Sequence, residues 1–185
     1  MGWTERAARD ATSTLSCSIL SLPERATRKT PGRPRRILCA VDGSLASFEA
    51  LRAGFKIAAP GACVRCVYVL DRSARAEESV TAASVQDAFL EEGHGALRKA
   101  QIVFAQSWNA SDFKFDTTIV ETEQSGDDVA HAILRQAAEW QADAIIMGTH
   151  GQRGVARWIL GSVSGRVSVL TDLPLLLTRR HLADA

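Results

Sequence analysis

Residues 147–164 read MGTHGQRGVARWILGSVS. This stretch gathers Gly148, Gly151 and Gly161 around His150, follows an apolar run, and passes through Ser162, Val163 and Ser164 into residues of helical spacing. Glycine lets a backbone come close to a ligand, serine hydroxyls donate hydrogen bonds or cap helices, and the first amides of a helix carry partial positive charge. Those parts together suit an anion, and a phosphate chain above all. Arg153 and Arg157 add charge that could pair with phosphate. Taken singly, the same residues are ordinary: glycines after a strand form turns, Ser162 is a cap, and His150 is a loop polar group with no catalytic partner legible beside it.

The elements that must position this junction follow from periodicity. RILCAV (36–41) is a short apolar run, after which Phe48, Leu51 and Phe55 recur at helical spacing behind a Ser44 cap. VRCVYVL (64–70) is a second strand, followed by a polar loop near 71–83 and a helical stretch from Val85 to Trp108, which Gly93 and Gly95 weaken locally. KFDTTIVET (114–122) is a β-branched third strand, and Val129, Ile133 and Ala137 mark the next helix. ADAIIMG (142–148) is the fourth strand; Val163, Val167 and Leu170 mark a short helix, and LPLLLT (173–178) a fifth strand whose Pro174 suits an edge. Alternation of near-continuous apolar strands with helices means an α/β fold, a doubly wound five-stranded parallel sheet with helices on both faces. With strand order 3-2-1-4-5 the ligand crevice lies outside the carboxyl ends of strands 1 and 4. The glycine junction leaves strand 4 there. Asp42 ends strand 1 across the crevice, where its carboxylate could accept from ribose hydroxyls.

Composition removes several classes. A net charge of +1 over 185 residues argues against a dedicated nucleic-acid binder. No apolar stretch reaches the roughly 18–20 residues of a transmembrane helix, so no membrane partner is expected. Residues 1–36 carry eight Lys/Arg against three Asp/Glu, whereas residues 37–185 carry fourteen against eighteen. Residues 1–34 therefore read as a basic, Ser/Thr-rich, flexible extension, residues 35–180 as the folded domain and 181–185 as a short tail. An organelle transit peptide shares the extension's composition, but a plain arm in a cytoplasmic protein is the simpler reading. The alternation of Leu15, Cys17 and Ile19 would also let the arm add a strand to a sheet edge. The CxxC pair Cys63 and Cys66 lies on a strand, where residues three apart project from opposite faces, so these cysteines and Cys39 read as core rather than as a redox or metal site.

The spacing Gly148-x2-Gly151-x9-Gly161-Ser162 resembles the Gly-x2-Gly-x9-Gly-Ser/Thr motif of the ATP-binding universal stress proteins. VDGSLASFEAL after strand 1, VYVLD, SGDDVAHAIL and ADAIIMGTHG are similar to that family in the same order, over roughly residues 35–180. The resemblance implies ATP, with or without Mg²⁺, as the bound cofactor. It implies that Asp42 contacts the ribose or a nearby phosphate, that the Ala40 and Val69 regions frame adenine, and that Met147 lines the same pocket. It further implies that Gly148, His150 and Gly151 border the ribose and phosphates, and that Gly161, Ser162 and Val163 hold the phosphate chain with Ser164 close by. A homodimer through strand 5, where Leu175 and Leu177 alternate on an apolar edge, is expected on both grounds.

Other nucleotide motifs are missing: the chain has no GxxxxGK[ST] sequence, and DGSLAS after strand 1 holds only Gly43 where a dinucleotide fingerprint needs GxGxxG. No nucleophile with a base, and no metal site, can be picked out. The reading is therefore an adenine-nucleotide-binding module in stress response or signalling. The alternatives are a weak ATPase or an interaction dimer with an unused pocket.

Overall fold

The computed structural model describes residues 18–21, 32–72, 82–107, 112–123, 127–149 and 161–178. Its strands are β1 (Ser18–Ser21), β2 (Arg36–Ala40), β3 (Cys63–Leu70), β4 (Lys114–Glu121), β5 (Ala144–Gly148) and β6 (Leu175–Thr178). Its helices are α1 (Leu45–Ile57), α2 (Ala82–Ser107), α3 (Val129–Glu139) and α4 (Ser162–Leu170). The five strands expected from periodicity, β2 to β6, are parallel neighbours in the order β4-β3-β2-β5-β6, which is the 3-2-1-4-5 arrangement. A sixth strand joins them. β1, from the N-terminal extension, pairs antiparallel with β6, so the edge expected at β6 is covered by the chain's own backbone.

Strand alternation sorts the apolar residues into two layers. Ile37, Cys39, Val64, Cys66, Tyr68 and Ile146 face α1 and α2, where Phe48, Leu51, Phe55 and Leu97 complete one core. Leu38, Ala40, Val67, Ile145, Met147 and Leu177 face α3 and α4, where Ile133, Ala137 and Val167 complete the other. Cys39 and Cys66 sit opposite each other in the β2–β3 register and are fully buried. Burial first, and then the neighbouring Cys39, push the Cys66 thiol well above its ordinary pKa, which leaves it a core residue as its place on a strand suggests.

The amino ends of the strands are fastened shut. The Asp143 carboxylate accepts from the Arg35 and Arg36 amides at 3.0 and 2.9 Å, and the Arg36 and Arg65 guanidinium groups lie 4.5 and 4.9 Å from the Trp140 ring centre. The carboxyl ends carry the turns into α1 and the start of α4. In open α/β sheets the ligand crevice lies outside that end.

Candidate functional site

Three apolar residues singled out from sequence converge on one face of the sheet. Ala40 and Met147 are Cα partners across the β2–β5 pairing, and Val69 lies two residues beyond Val67, the partner of Ala40 on β3. All three belong to the layer that faces α3 and α4, and Val163 from the first turn of α4 packs in the same layer. Met147 and Ala40 are buried, whereas Val69 and Val163 keep part of their surface open. This gives a layer of small and medium apolar side chains at the switch point, to which the first turn of α4 contributes Val163.

The residues around that layer are set by local hydrogen bonding. Asp42 follows β2, and its Oδ1 accepts from the Ser44 amide at 3.0 Å, closing a turn in which Gly43 takes φ +84°, a value that glycine adopts without strain. Ser44 then caps α1, its hydroxyl accepting from the Ser47 amide at 3.2 Å, as the sequence led one to expect. Gly148 has a packing reason of its own. A Cβ there would stand 2.9 Å from Ala46 Cβ and 3.0 Å from the Ser47 amide nitrogen, so glycine is what lets α1 dock against the end of β5.

α4 begins where the glycine junction ends. Gly161 is its N-cap, in an extended conformation at φ −58° and ψ 154° and with no side chain to satisfy the first amides. The first helical hydrogen bond runs from the Gly165 amide to the Gly161 carbonyl, so the amides of Ser162, Val163 and Ser164 precede the helical ladder. Ser162, the first helical residue, is exposed and is not the cap that sequence allowed it to be. Ser164 is buried, and its hydroxyl donates to the Thr149 carbonyl at 2.9 Å and the Gly161 carbonyl at 3.1 Å. Its role is to tie the two ends of the junction together. His150 and Gly151, with Arg153 and Arg157, lie outside the described residues.

Sequence reading missed the residues that brace this end. Thr149 is the hinge pin: its amide donates to the Thr178 carbonyl and its carbonyl accepts from the Gly161 amide, both at 2.8 Å. Thr178 Oγ1 in turn donates to the Ala46 carbonyl at 3.1 Å, linking β6 to α1. Asp128 caps α3, accepts from the His131 amide at 2.9 Å, and pairs with Arg166 of α4 at 3.0 Å. Burial works to raise its pKa, but hydrogen bonds from His131 and the charge of Arg166 outweigh burial and hold it below the ordinary value. A polar residue ending a strand signals a cap or a tie of this kind, but its partner is set by the fold. An open hollow of about 420 Å³ walled by Phe55, Phe113 and Lys56 lies at the opposite, amino end of the strands, away from this constellation. Among the described residues no group of His, Cys, Asp and Glu is arranged to hold a metal ion, and no helix is long and apolar enough to cross a membrane.

The sequence profile of the Universal stress protein family matches residues 34–179. The chain belongs to that family. It is 32% identical over 151 residues to universal stress protein MJ0531 of Methanocaldococcus jannaschii, covering 79% of this chain and 82% of that protein. It is 29% identical to universal stress protein YxiE of Bacillus subtilis, covering 78% of this chain and 98% of that one. In three dimensions it resembles the hypothetical protein MJ0577 with a TM-score of 0.65 and 23% identity, over 80% of this chain and 98% of the other. A universal stress protein in complex with cAMP superposes with a TM-score of 0.55 and 22% identity, over 80% of this chain and 98% of that one. The two structural likenesses establish a shared universal stress protein fold.

Proposed function

We propose that the chain is an adenine-nucleotide-binding module of stress response or signalling, with ATP, accompanied by Mg²⁺ or free of it, at the carboxyl ends of β2, β3 and β5. One observation carries this reading. Ala40, Val69 and Met147 share one face of the sheet, and the apolar layer on that face also takes in Val163 from the first turn of a helix whose cap has no side chain. An adenine ring needs an apolar slot and a triphosphate needs unpaired amides, and this end of the fold offers both within one turn of helix. The conformation of Gly161 is compatible with it: φ −58° and ψ 154° are open to any residue, so backbone strain does not call for glycine there, and the lack of a Cβ leaves a phosphate room against the cap. Of the described residues, Asp42 and Gly148 are assigned to the side of the ribose. One structural relative is a universal stress protein in complex with cAMP, so cyclic nucleotides belong among the ligands tried.

The same reading includes a homodimer in which β6 of one copy meets β6 of the other. It is supported by Leu175 and Leu177, which alternate along β6, the strand that ends the parallel part of the sheet and whose outer edge is paired with β1 in this structure.

The test is a thermal-shift panel of ATP, ADP, AMP, cyclic AMP and NAD, each with and without Mg²⁺. Adenine nucleotides at about 100 times their dissociation constant add roughly 2.7 kcal/mol of stability. A panel with no shift for any adenine nucleotide contradicts the reading. ATP turnover near about 10 s⁻¹, a rate typical of enzymes, replaces it with an enzymatic one.

A further inference from the structure

β1 is the element that the nucleotide site does not use. It runs antiparallel to β6, with Ser18 opposite Thr178, Ile19 opposite Leu177, Leu20 opposite Leu176 and Ser21 opposite Leu175. Every other pairing in the sheet is parallel. β6 is the principal neighbour of β1, which is separated from the next strand by residues 22–35. A four-residue strand held along one side by one neighbour has few backbone hydrogen bonds to break when it leaves.

The direction of this pairing has a physical implication. Two copies of one strand edge related by a two-fold axis hydrogen-bond antiparallel. β1 thus presents to β6 the backbone direction that β6 of a second copy would present, along the same edge. Each outward N–H and C=O of β6 serves one neighbouring strand at a time, so the two pairings exclude one another.

We propose that Ser18–Ser21 is a built-in occupant of the β6 edge that competes with a second copy of this chain, so that self-association requires β1 to leave. The proposal rests on the reading of β6 as the self-association edge. Both protomers must release β1, so the capping ratio enters the apparent dimer dissociation constant twice. A cap favoured about tenfold weakens the dimer about a hundredfold.

The experiment is sedimentation velocity on the full chain and on its Ile19→Pro, Leu20→Pro and doubly substituted variants, from about 1 to 100 μM, the range of ordinary micromolar association. Alternate residues of an edge strand turn their N–H groups toward the neighbour, so one of these two adjacent positions donates to β6 and the double change removes that donor whichever it is. The full chain is expected to stay monomeric at concentrations where the double variant dimerises, with a dissociation constant at least tenfold lower in the variant. One single variant should match the double variant more closely than the other does, an alternation that general misfolding would not produce. Hydrogen exchange should find the β6 amides still protected in the variant dimer. Equal dimerisation of full chain and double variant overturns the competition and leaves the dimer reading standing. Monomers throughout overturn both, and a variant dimer with unprotected β6 amides places association elsewhere and overturns the proposal.

Discussion

Ser162 and Ser164 are two residues apart, yet the fold gives them opposite duties. Ser164 is buried and bonded to two carbonyls, so Ser164→Ala should lower the stability of the ligand-free protein by about 1 kcal/mol, the net worth of a typical internal hydrogen bond. Ser162 is exposed at the first position of α4, so Ser162→Ala should leave ligand-free stability within about 0.5 kcal/mol. On the proposed reading its effect should fall on ATP, where one hydroxyl bonded to a charged group is worth about 1.5–3 kcal/mol. Melting curves of both variants with and without ATP check the pair. The sequence pointed at both serines through their place after Gly161, but it left cap and ligand donor both open as readings of Ser162. The structure separates them because the cap is a matter of backbone conformation, and Gly161 takes that position. Gly148 was likewise legible as a glycine that matters. Its contact with Ala46 was not, because that contact joins two elements about a hundred residues apart in the chain.

At the scale of elements, α2 shows how tertiary packing decides what propensity leaves open. Gly93 and Gly95 were expected to weaken this helix, and it nevertheless runs unbroken from Ala82 to Ser107. The two glycines differ in what surrounds them: a Cβ at Gly93 would stand 2.9 Å from the Tyr68 ring, whereas one at Gly95 meets only the Arg98 guanidinium at 3.9 Å. Gly95→Ala should therefore gain about 0.8–1 kcal/mol of helix propensity. Gly93→Ala should lose stability, because crowding a packed core costs about 1–3 kcal/mol and exceeds that gain. Chemical denaturation of the two variants should show shifts of opposite sign. The start of α3 is held by charge instead. Asp127 accepts from the Glu123 amide at 3.0 Å and pairs with Arg135, whose guanidinium also reaches the Glu121 carbonyl at 2.9 Å. Burial works to raise the Asp127 pKa, but Arg135 and the Glu123 amide outweigh it and keep the pKa below its ordinary value of about 3.9. A group whose folded pKa is lowered stabilises the fold above its unfolded pKa, and that stabilisation is lost as pH falls through the folded value. Asp127→Asn should cost about 1.5–3 kcal/mol at neutral pH. The gap between wild type and variant should close below about pH 4, where denaturation curves at several pH values would show it.

For the molecule as a whole, strand order was readable because each parallel strand is a short apolar run followed by a helix of clear spacing, and right-handed crossovers leave few ways to assemble them. The face shared by Ala40, Val69, Met147 and Val163 was only partly readable. Alternation assigns each strand residue to a face, but which helix covers that face depends on how the chain winds. β1 was legible only as an option: the alternation of Leu15, Cys17 and Ile19 allowed the extension to add a strand to a sheet edge, but not which edge, because the pairing with β6 spans nearly the whole chain. The central claim is that phosphate rests against the side-chain-free cap of α4. The measurement that tests it most directly is calorimetric titration of ATP into the wild-type protein and into Gly161→Val. Valine fits the backbone at φ −58° and ψ 154°, so the variant should fold and melt within a few degrees of wild type, yet its added methyl groups should abolish the saturable one-site binding that the account predicts for wild type. ATP binding of equal strength in both proteins, or none in wild type, would contradict the account.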